Sequence, residues 1–295
     1  MRNHYENWMQ QLADDYLKKS SSIQEPGLFN GKTGAAIILF KYAQISGIEK
    51  YAERANHLIG DVFEIVLNRL PINFENGLTG IGWGILYLRQ NGFLTAGADY
   101  LLDEIDKLLF VSIIKSRTLI SNSGTYGAGI YFTERLKPLN GSSTNLFKRQ
   151  KVQLSSYLRD DIERLLSQNA QFVFNTPELG LEQLNSIIYF YLEMMKLNLI
   201  EVNVERLLDF LIRFTKHLPS DRIDILNIHT SKILLKRILK NLADDAEIDK
   251  TIWLLKKFRH LIHEDKVISK LKSNEIAKIS WQSIAYNIYP CQIKT

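Results

Sequence analysis

The stretch FENGLTGIGWGILYL, residues 74–88, decides the fold. It places four glycines, at positions 77, 80, 82 and 84, before and inside a run that otherwise has the composition of a buried helix. A glycine inside a helix costs about 1 kcal/mol relative to alanine, so four of them need a structural reason. Two related stretches, FNGKTGAAIILF (29–40) and NSGTYGAGIYFT (122–133), indicate that this one belongs to a repeat.

The repeat consists of a small polar residue, then Gly-x-x-Gly, then an apolar run. Its first glycines, Gly31, Gly77 and Gly124, are 46 and 47 residues apart. Weaker copies follow in the second half of the chain, at residues 179–190, 228–237 and 279–289. Among these only Gly180 retains the first glycine, and Thr230 and Ser280 stand in its place in the other two. We count three clear repeats and three eroded ones.

Two kinds of helix alternate along the chain. The segments 51–66, 204–212 and 248–262 carry apolar residues on one stripe, which predicts amphipathic helices. The runs that follow the glycines are apolar on every side, as is typical of helices buried on every side. Residues 5–19 add a helix at the start, and LFVSII (109–114) continues a helical stripe despite its β-branched residues.

Paired inner and outer helices predict an all-α fold. We expect one domain over residues 1–295, an α/α toroid of about six helical hairpins whose ring is either closed or left open. In such a ring the inner helices crowd together, and glycines allow tight turns and close backbone contact at their starts. The glycines with this structural role are Gly31, Gly34, Gly77, Gly80, Gly124 and Gly127.

Composition restricts the function classes. The net charge is +5, and the whole excess lies after residue 200, where 17 basic residues accompany 12 acidic ones. That bias indicates either solvated helix faces or a surface for an acidic partner, and no nucleic-acid-binding motif accompanies it. The sequence contains no run of 18 apolar residues that could span a membrane, and no secretory signal is visible. We therefore expect a cytoplasmic protein. The one cysteine, Cys291, excludes an internal disulfide.

The two longest motifs resemble a known family. GLFNGKTGAAIILFKYA (27–43) and FENGLTGIGWGILYLRQNGF (74–93) are similar to the repeat motifs of bacterial lanthionine synthetase C-like proteins. The resemblance covers roughly residues 27–136 and implies an α/α toroid. It also implies peptide cyclisation, in which a zinc ion favours the thiolate of a substrate cysteine, which then adds to a dehydrated serine or threonine.

The chain departs from that family at the metal site. The family binds zinc through two cysteines and one histidine, in Cys-Tyr-Gly-like and Cys-His-Gly-like motifs, and neither motif occurs here. We therefore expect no metal site and no cofactor. His229, in NIHTSKILL (227–235), overlays the family histidine and is a weak catalytic candidate. His260 and His263 have a spacing that can bind metal and that also arises by chance.

These observations favour a non-catalytic relative that binds a peptide or a maturation protein. The expected site lies at the inner-helix starts, where free amide groups and the helix dipole favour carboxylates. Its expected binding residues are Asn30, Lys32, Asn76, Thr79, Trp83, Ser123 and Tyr126.

Two enzymatic alternatives remain open. One is a cyclase with substituted metal ligands. The other is a hydrolase that uses paired carboxylates, as other α/α toroids do. Its best candidate is Glu75, and the possible second carboxylates are Glu134, Glu178 and Glu182.

Overall fold

A computed structural model describes most of the chain. The described residues are 2–29, 31–65, 67–94, 97–115, 124–136, 156, 159–160, 181–197, 203–216, 225–242 and 244–263. Every regular element within these ranges is helical, which confirms the all-α prediction. The described helices belong to two compact units, unit 1 up to Arg117 and unit 2 from Thr118 to Ser273. The closed or open toroid over residues 1–295 stays a prediction.

Unit 1 is built around one central helix. Its elements are α1 (Arg2–Lys19), α2 (Lys32–Ser46), α3 (Glu49–Phe63), a short 3-10 helix (Leu67–Arg69), α4 (Leu78–Gln90) and α5 (Ala98–Lys115). Helix α2 packs against α1, α3 and α4, and α4 packs against α5. All residues from Thr33 to Phe40 are buried, whereas α3 buries only one stripe. Helices α2 and α4 are therefore inner helices, and α3 and α5 are their outer partners.

The turn from α2 into α3 shows why a glycine ends the inner helix. Gly47 follows α2 with φ 71°, in the left-handed region that residues with a Cβ rarely adopt. Its amide donates to the carbonyl of Ala43, which satisfies one of the open carbonyls at the helix end. Helix α3 begins two residues later at Glu49, so the two helices form a tight hairpin.

Unit 2 repeats the inner and outer arrangement. Its helices are α6 (Gly124–Leu136), α7 (Leu181–Leu197), α8 (Val204–Lys216), α9 (Ile225–Leu239) and α10 (Asp245–His263). Helix α7 packs against α6 and α9, and α10 packs against α8 and α9. Every residue from Ile187 to Met194 is buried, as the apolar run predicts. Helix α8 buries one face, with its exposed residues on the other.

Two local predictions have clear outcomes. The β-branched segment 109–114 is helical, within α5, so the helical stripe outweighs β propensity there. The eroded repeat around Thr230 is different. Helix α9 begins at Ile225, five residues before Thr230, whereas Gly31 and Gly77 each stand one residue before their helix. Without the glycines, nothing in the sequence forces a sharp start at Thr230.

None of the helices that the structure describes combines the length and the apolar character needed to cross a membrane.

Candidate functional site

The starts of α2 and α4 have the same hydrogen-bonded loop. The amide of Lys32 donates to the carbonyl of Glu25 at 2.8 Å, and the amide of Leu78 donates to the carbonyl of Pro71, also at 2.8 Å. In both cases the first residue of the helix bonds to the residue seven positions earlier. The preceding loop therefore folds back over the helix start in the same way in both repeats.

A threonine hydroxyl reinforces each loop. Thr33 Oγ1 donates to the carbonyl of Pro26 at 2.6 Å, and Thr79 Oγ1 donates to the carbonyl of Ile72 at 2.8 Å. Both threonine side chains are fully buried, so each bond satisfies a hydroxyl that has no access to water. The shared Gly-x-Thr-Gly sequence encodes this bond. The third motif has Tyr126 at the threonine position.

The glycines lie against the backbone of these loops. A Cβ built on Gly31, Gly77 or Gly80 would lie closer than 3.0 Å to a loop carbonyl oxygen, a separation that real Cβ atoms do not adopt. These oxygens belong to the backbone and cannot turn away as a side chain could. The loop can fold over the helix start only because these positions have no side chain.

The two turns are bonded to each other. The amides of Leu28 and Phe29 both donate to the carbonyl of Glu75, at 2.9 and 2.8 Å. Gly27 approaches Asn76 so closely that a Cβ would collide with the Asn76 backbone. With its nitrogen turned toward the loops, the Asn76 amide donates to the carbonyl of Phe29 at 3.0 Å. The predicted binding residue Asn76 is exposed, and it joins the two turns.

The amides at the start of α2 already have partners within the chain. The N–H groups of Lys32, Thr33 and Gly34 bond to loop carbonyls at 2.8, 3.2 and 3.4 Å. At the start of α4 the amides of Gly77 and Leu78 also donate to loop carbonyls, those of Asn73 and Pro71. Open amides are what attracts an anion to a helix start. The reasoning that expected carboxylate binding here therefore does not hold for these groups.

The predicted binding residue Lys32 also has a partner. Its Nζ lies 2.7 Å from Asp61 Oδ2 near the end of α3, and the lysine side chain is only 17% exposed. The hydrogen bond from Lys32 lowers the pKa of the Asp61 carboxyl. The lysine therefore ties the start of its own helix to the outer helix of the same hairpin.

Aromatic rings continue outward from the core at these turns. The predicted binding residue Trp83 is 4% exposed and stacks on Tyr87, with ring centroids 5.3 Å apart. On its other side it meets Phe74 at 6.0 Å, and Phe74 meets Phe29 edge to face at 6.3 Å. Phe29 and Phe74 are partly exposed. We call these two residues the aromatic edge, and it is an apolar part of the turns that water reaches.

Several predicted residues lie outside the described part of the chain. These are Asn30 and Ser123 among the expected binding residues, and Glu178 among the carboxylates. Tyr126, Glu182 and His229 lie in α6, α7 and α9, but their side chains are not described. Gly34 and Gly127 lie inside α2 and α6, where both are buried, and Gly124 is the first residue of α6.

The candidate carboxylates have different surroundings. Glu75 is partly buried, and its backbone carbonyl accepts the bonds that join the two turns. Glu134 is 8% exposed and accepts a hydrogen bond from the Tyr189 hydroxyl at 3.0 Å, inside unit 2. Within the described residues, no group of three histidine, cysteine or acidic side chains is arranged to hold a metal ion.

Comparisons with family models, with characterised proteins and with solved structures found no match for this chain.

The sequence prediction did not include Thr33, Phe29 or Phe74. A signal for Thr33 is present, because it occupies the same place as Thr79 between the two motif glycines. Phe29 and Phe74 also occupy related places, two and three residues before the first glycine. Their partial exposure depends on how the two loops pack together, and the local sequence does not reveal that.

Proposed function

We propose that this protein is a non-catalytic lanthionine synthetase C-like protein that binds a peptide or a partner protein during maturation of a ribosomally made peptide. The observation that carries the proposal is the paired turn at α2 and α4. Two inner helices begin with the same glycine and threonine geometry and are bonded side by side. This supports a ring-type repeat whose inner-helix starts gather at one end, as the resemblance implies.

The surface at these turns supports recognition of apolar groups. The amides of α2 are bonded to their own loop, and Lys32 is paired with Asp61. The remaining accessible groups include the aromatic edge, Phe29 and Phe74, beside the exposed Asn76. Aromatic side chains supply much of the binding energy in protein interfaces. A peptide would therefore dock through aliphatic or aromatic side chains, with carboxylates contributing little.

The test is a titration with a candidate precursor peptide from the same gene neighbourhood, labelled and followed by fluorescence anisotropy. We expect Phe29→Ala and Phe74→Ala each to weaken binding about 10-fold, as loss of an interface anchor does. Tyr100→Ala is the matched control, since Tyr100 is a 73% exposed aromatic residue near the start of the outer helix α5. No binding by the wild-type chain at high micromolar peptide would contradict the proposal.

Salt dependence separates two binding modes. Binding at the aromatic edge should change less than about 2-fold between roughly 0.05 and 0.5 M NaCl, because exposed charges contribute little to it. Binding of an acidic peptide to the basic last third of the chain should weaken strongly over that range. Metal analysis of the same preparation tests the cyclase alternative, and one zinc per chain would contradict a non-catalytic role.

A further inference from the structure

The outward face of α10 carries an acidic residue before its centre and a basic residue after it. Ile252 and Trp253, at its centre, are 36% and 39% exposed, so two consecutive residues present apolar surface there. Asp249 lies one turn before them and Lys256 one turn after them, and both are exposed. At about 100° per residue these four side chains lie within one stripe about 100° wide. We call this stripe the α10 face.

The α10 face is complementary to itself. Asp249 and Lys256 are each three and a half residues from the midpoint between Ile252 and Trp253, about 5 Å along the axis. In an antiparallel pair of identical helices, Asp249 of each copy therefore lies opposite Lys256 of the other. Within the described residues neither charge has an ion-pair partner, so both are available for such a contact.

We propose that the α10 face binds a second copy of this chain, with the two α10 helices antiparallel about a two-fold axis. Such an interface is isologous, so each contact occurs twice. Ile252 and Trp253 of both copies form its apolar centre, and two Asp249–Lys256 pairs flank it. Another charged side chain on the same helix, Lys250, is held on another side by Glu205 and Asp209 of α8 and does not take part.

The expected affinity is modest. Two crossing helices bury less than the roughly 800 Å² per partner of a standard interface, so we expect a dissociation constant on the order of 10 µM. Reversal of one charge replaces two attractive pairs by two repulsive ones and should weaken association about 10-fold. Trp253→Ala removes the central anchor twice and should weaken it about 100-fold.

The experiment is sedimentation of the full chain between about 1 and 200 µM. Wild type should shift from monomer to dimer across this range. Asp249→Lys and Lys256→Asp should each need about 10-fold more protein than wild type to dimerise. Their equimolar mixture should regain the wild-type behaviour, because in the mixed pair opposite charges face each other. Lys18→Asp, an exposed reversal on α1, is the matched control and should dimerise normally.

Three outcomes overturn the proposal. These are a wild-type monomer at every concentration, charge-reversed variants that associate as tightly as wild type, and a mixture that fails to associate. Circular dichroism and thermal melts show that each variant is folded. All substituted positions are exposed, so a change in association reports on the surface and not on the core.

Discussion

Gly84→Ala tests whether close packing explains the glycines inside α4. Gly84 faces α2, and an added Cβ would collide with Thr33 Cγ2 and lie 3.4 Å from Ile37 Cδ1. The threonine cannot turn away freely, because its hydroxyl bonds the Pro26 carbonyl at 2.6 Å. Helix propensity alone predicts a gain of about 1 kcal/mol for this change. Packing predicts the opposite sign.

The net effect follows from two opposing terms. Forcing an extra methyl group into a packed core costs about 1–3 kcal/mol. After the propensity gain, Gly84→Ala should lower the free energy of unfolding by about 1 kcal/mol. Gly60→Ala on α3 is the matched control. No atom lies within 4 Å of a Cβ at that exposed position, so it should gain up to about 1 kcal/mol.

Thr33→Ser supplies the decisive comparison. It keeps the hydroxyl and removes the methyl group that the added Cβ at position 84 would meet, at a cost of about 1 kcal/mol by itself. In the double variant the new methyl group fills the vacated space, so its stability should return to near wild type. The coupling energy would then be about 2 kcal/mol. Urea unfolding followed by circular dichroism measures the free energy of unfolding of wild type, both single variants and the double variant.

Two results would refute this reasoning. One is a stability gain for Gly84→Ala equal to that of Gly60→Ala, because the contact between position 84 and α2 would then have no effect on stability. The other is a double variant whose loss equals the sum of the two single losses. Either result would mean that the glycine is tolerated in α4 and not required there.

Three further measurements probe the surroundings of these helices. Thr79→Val should lower the free energy of unfolding by about 1 kcal/mol, because the hydrogen bond to the partly buried Ile72 carbonyl is lost, whereas Thr79→Ser should lose less in the same urea titration. Burial and the hydrogen bond to Asp14 raise the pKa of Tyr51 from 10.0 to about 12. The folded state thus holds the Tyr51 proton more tightly than the unfolded state does. The contribution of this proton to the free energy of unfolding is complete below about pH 10 and is lost as pH rises toward about 12. Tyr51→Phe should remove that part of the alkaline loss in thermal melts. Asp61→Asn should cost at most about 0.5 kcal/mol at low salt and nothing at about 1 M NaCl, because Asp61 is exposed and its pair with Lys32 is screened.

The helical architecture could be predicted because the spacing of apolar residues and the composition of each segment are local properties of the sequence. The all-round apolar run after Gly31 predicts a buried helix, and the stripe from Tyr51 to Val62 predicts a half-exposed one. The boundary of α9 could not be predicted. Thr230 aligns with the motif glycines, but only a glycine allows a loop carbonyl to approach closely enough to fix the helix start. Aligning a residue with the motif glycines therefore does not predict a helix start unless that residue is itself a glycine.

The candidate site was harder to predict than the fold. The glycines identify where the turns lie, but the partners of the amides depend on loop residues such as Glu25 and Pro71. Nothing in their side chains indicates that their backbone carbonyls fold back. The same holds for Lys32, because its ion pair joins residues 29 positions apart. Residue type suggests a binding role here, and only the packing of α2 against α3 reveals a structural one.

The glycine motif therefore works differently from a glycine-rich loop that binds an anion at a helix start. An anion-binding loop uses glycine to leave helix amides open toward a ligand. Here Gly31 and Gly77 let the chain cover its own helix starts with carbonyls seven residues upstream. The partial positive charge at the start of α2, and part of that at the start of α4, is thereby met within the protein. What such a surface can still offer a partner is shape and apolar contact, which is why the aromatic edge carries the proposed binding role.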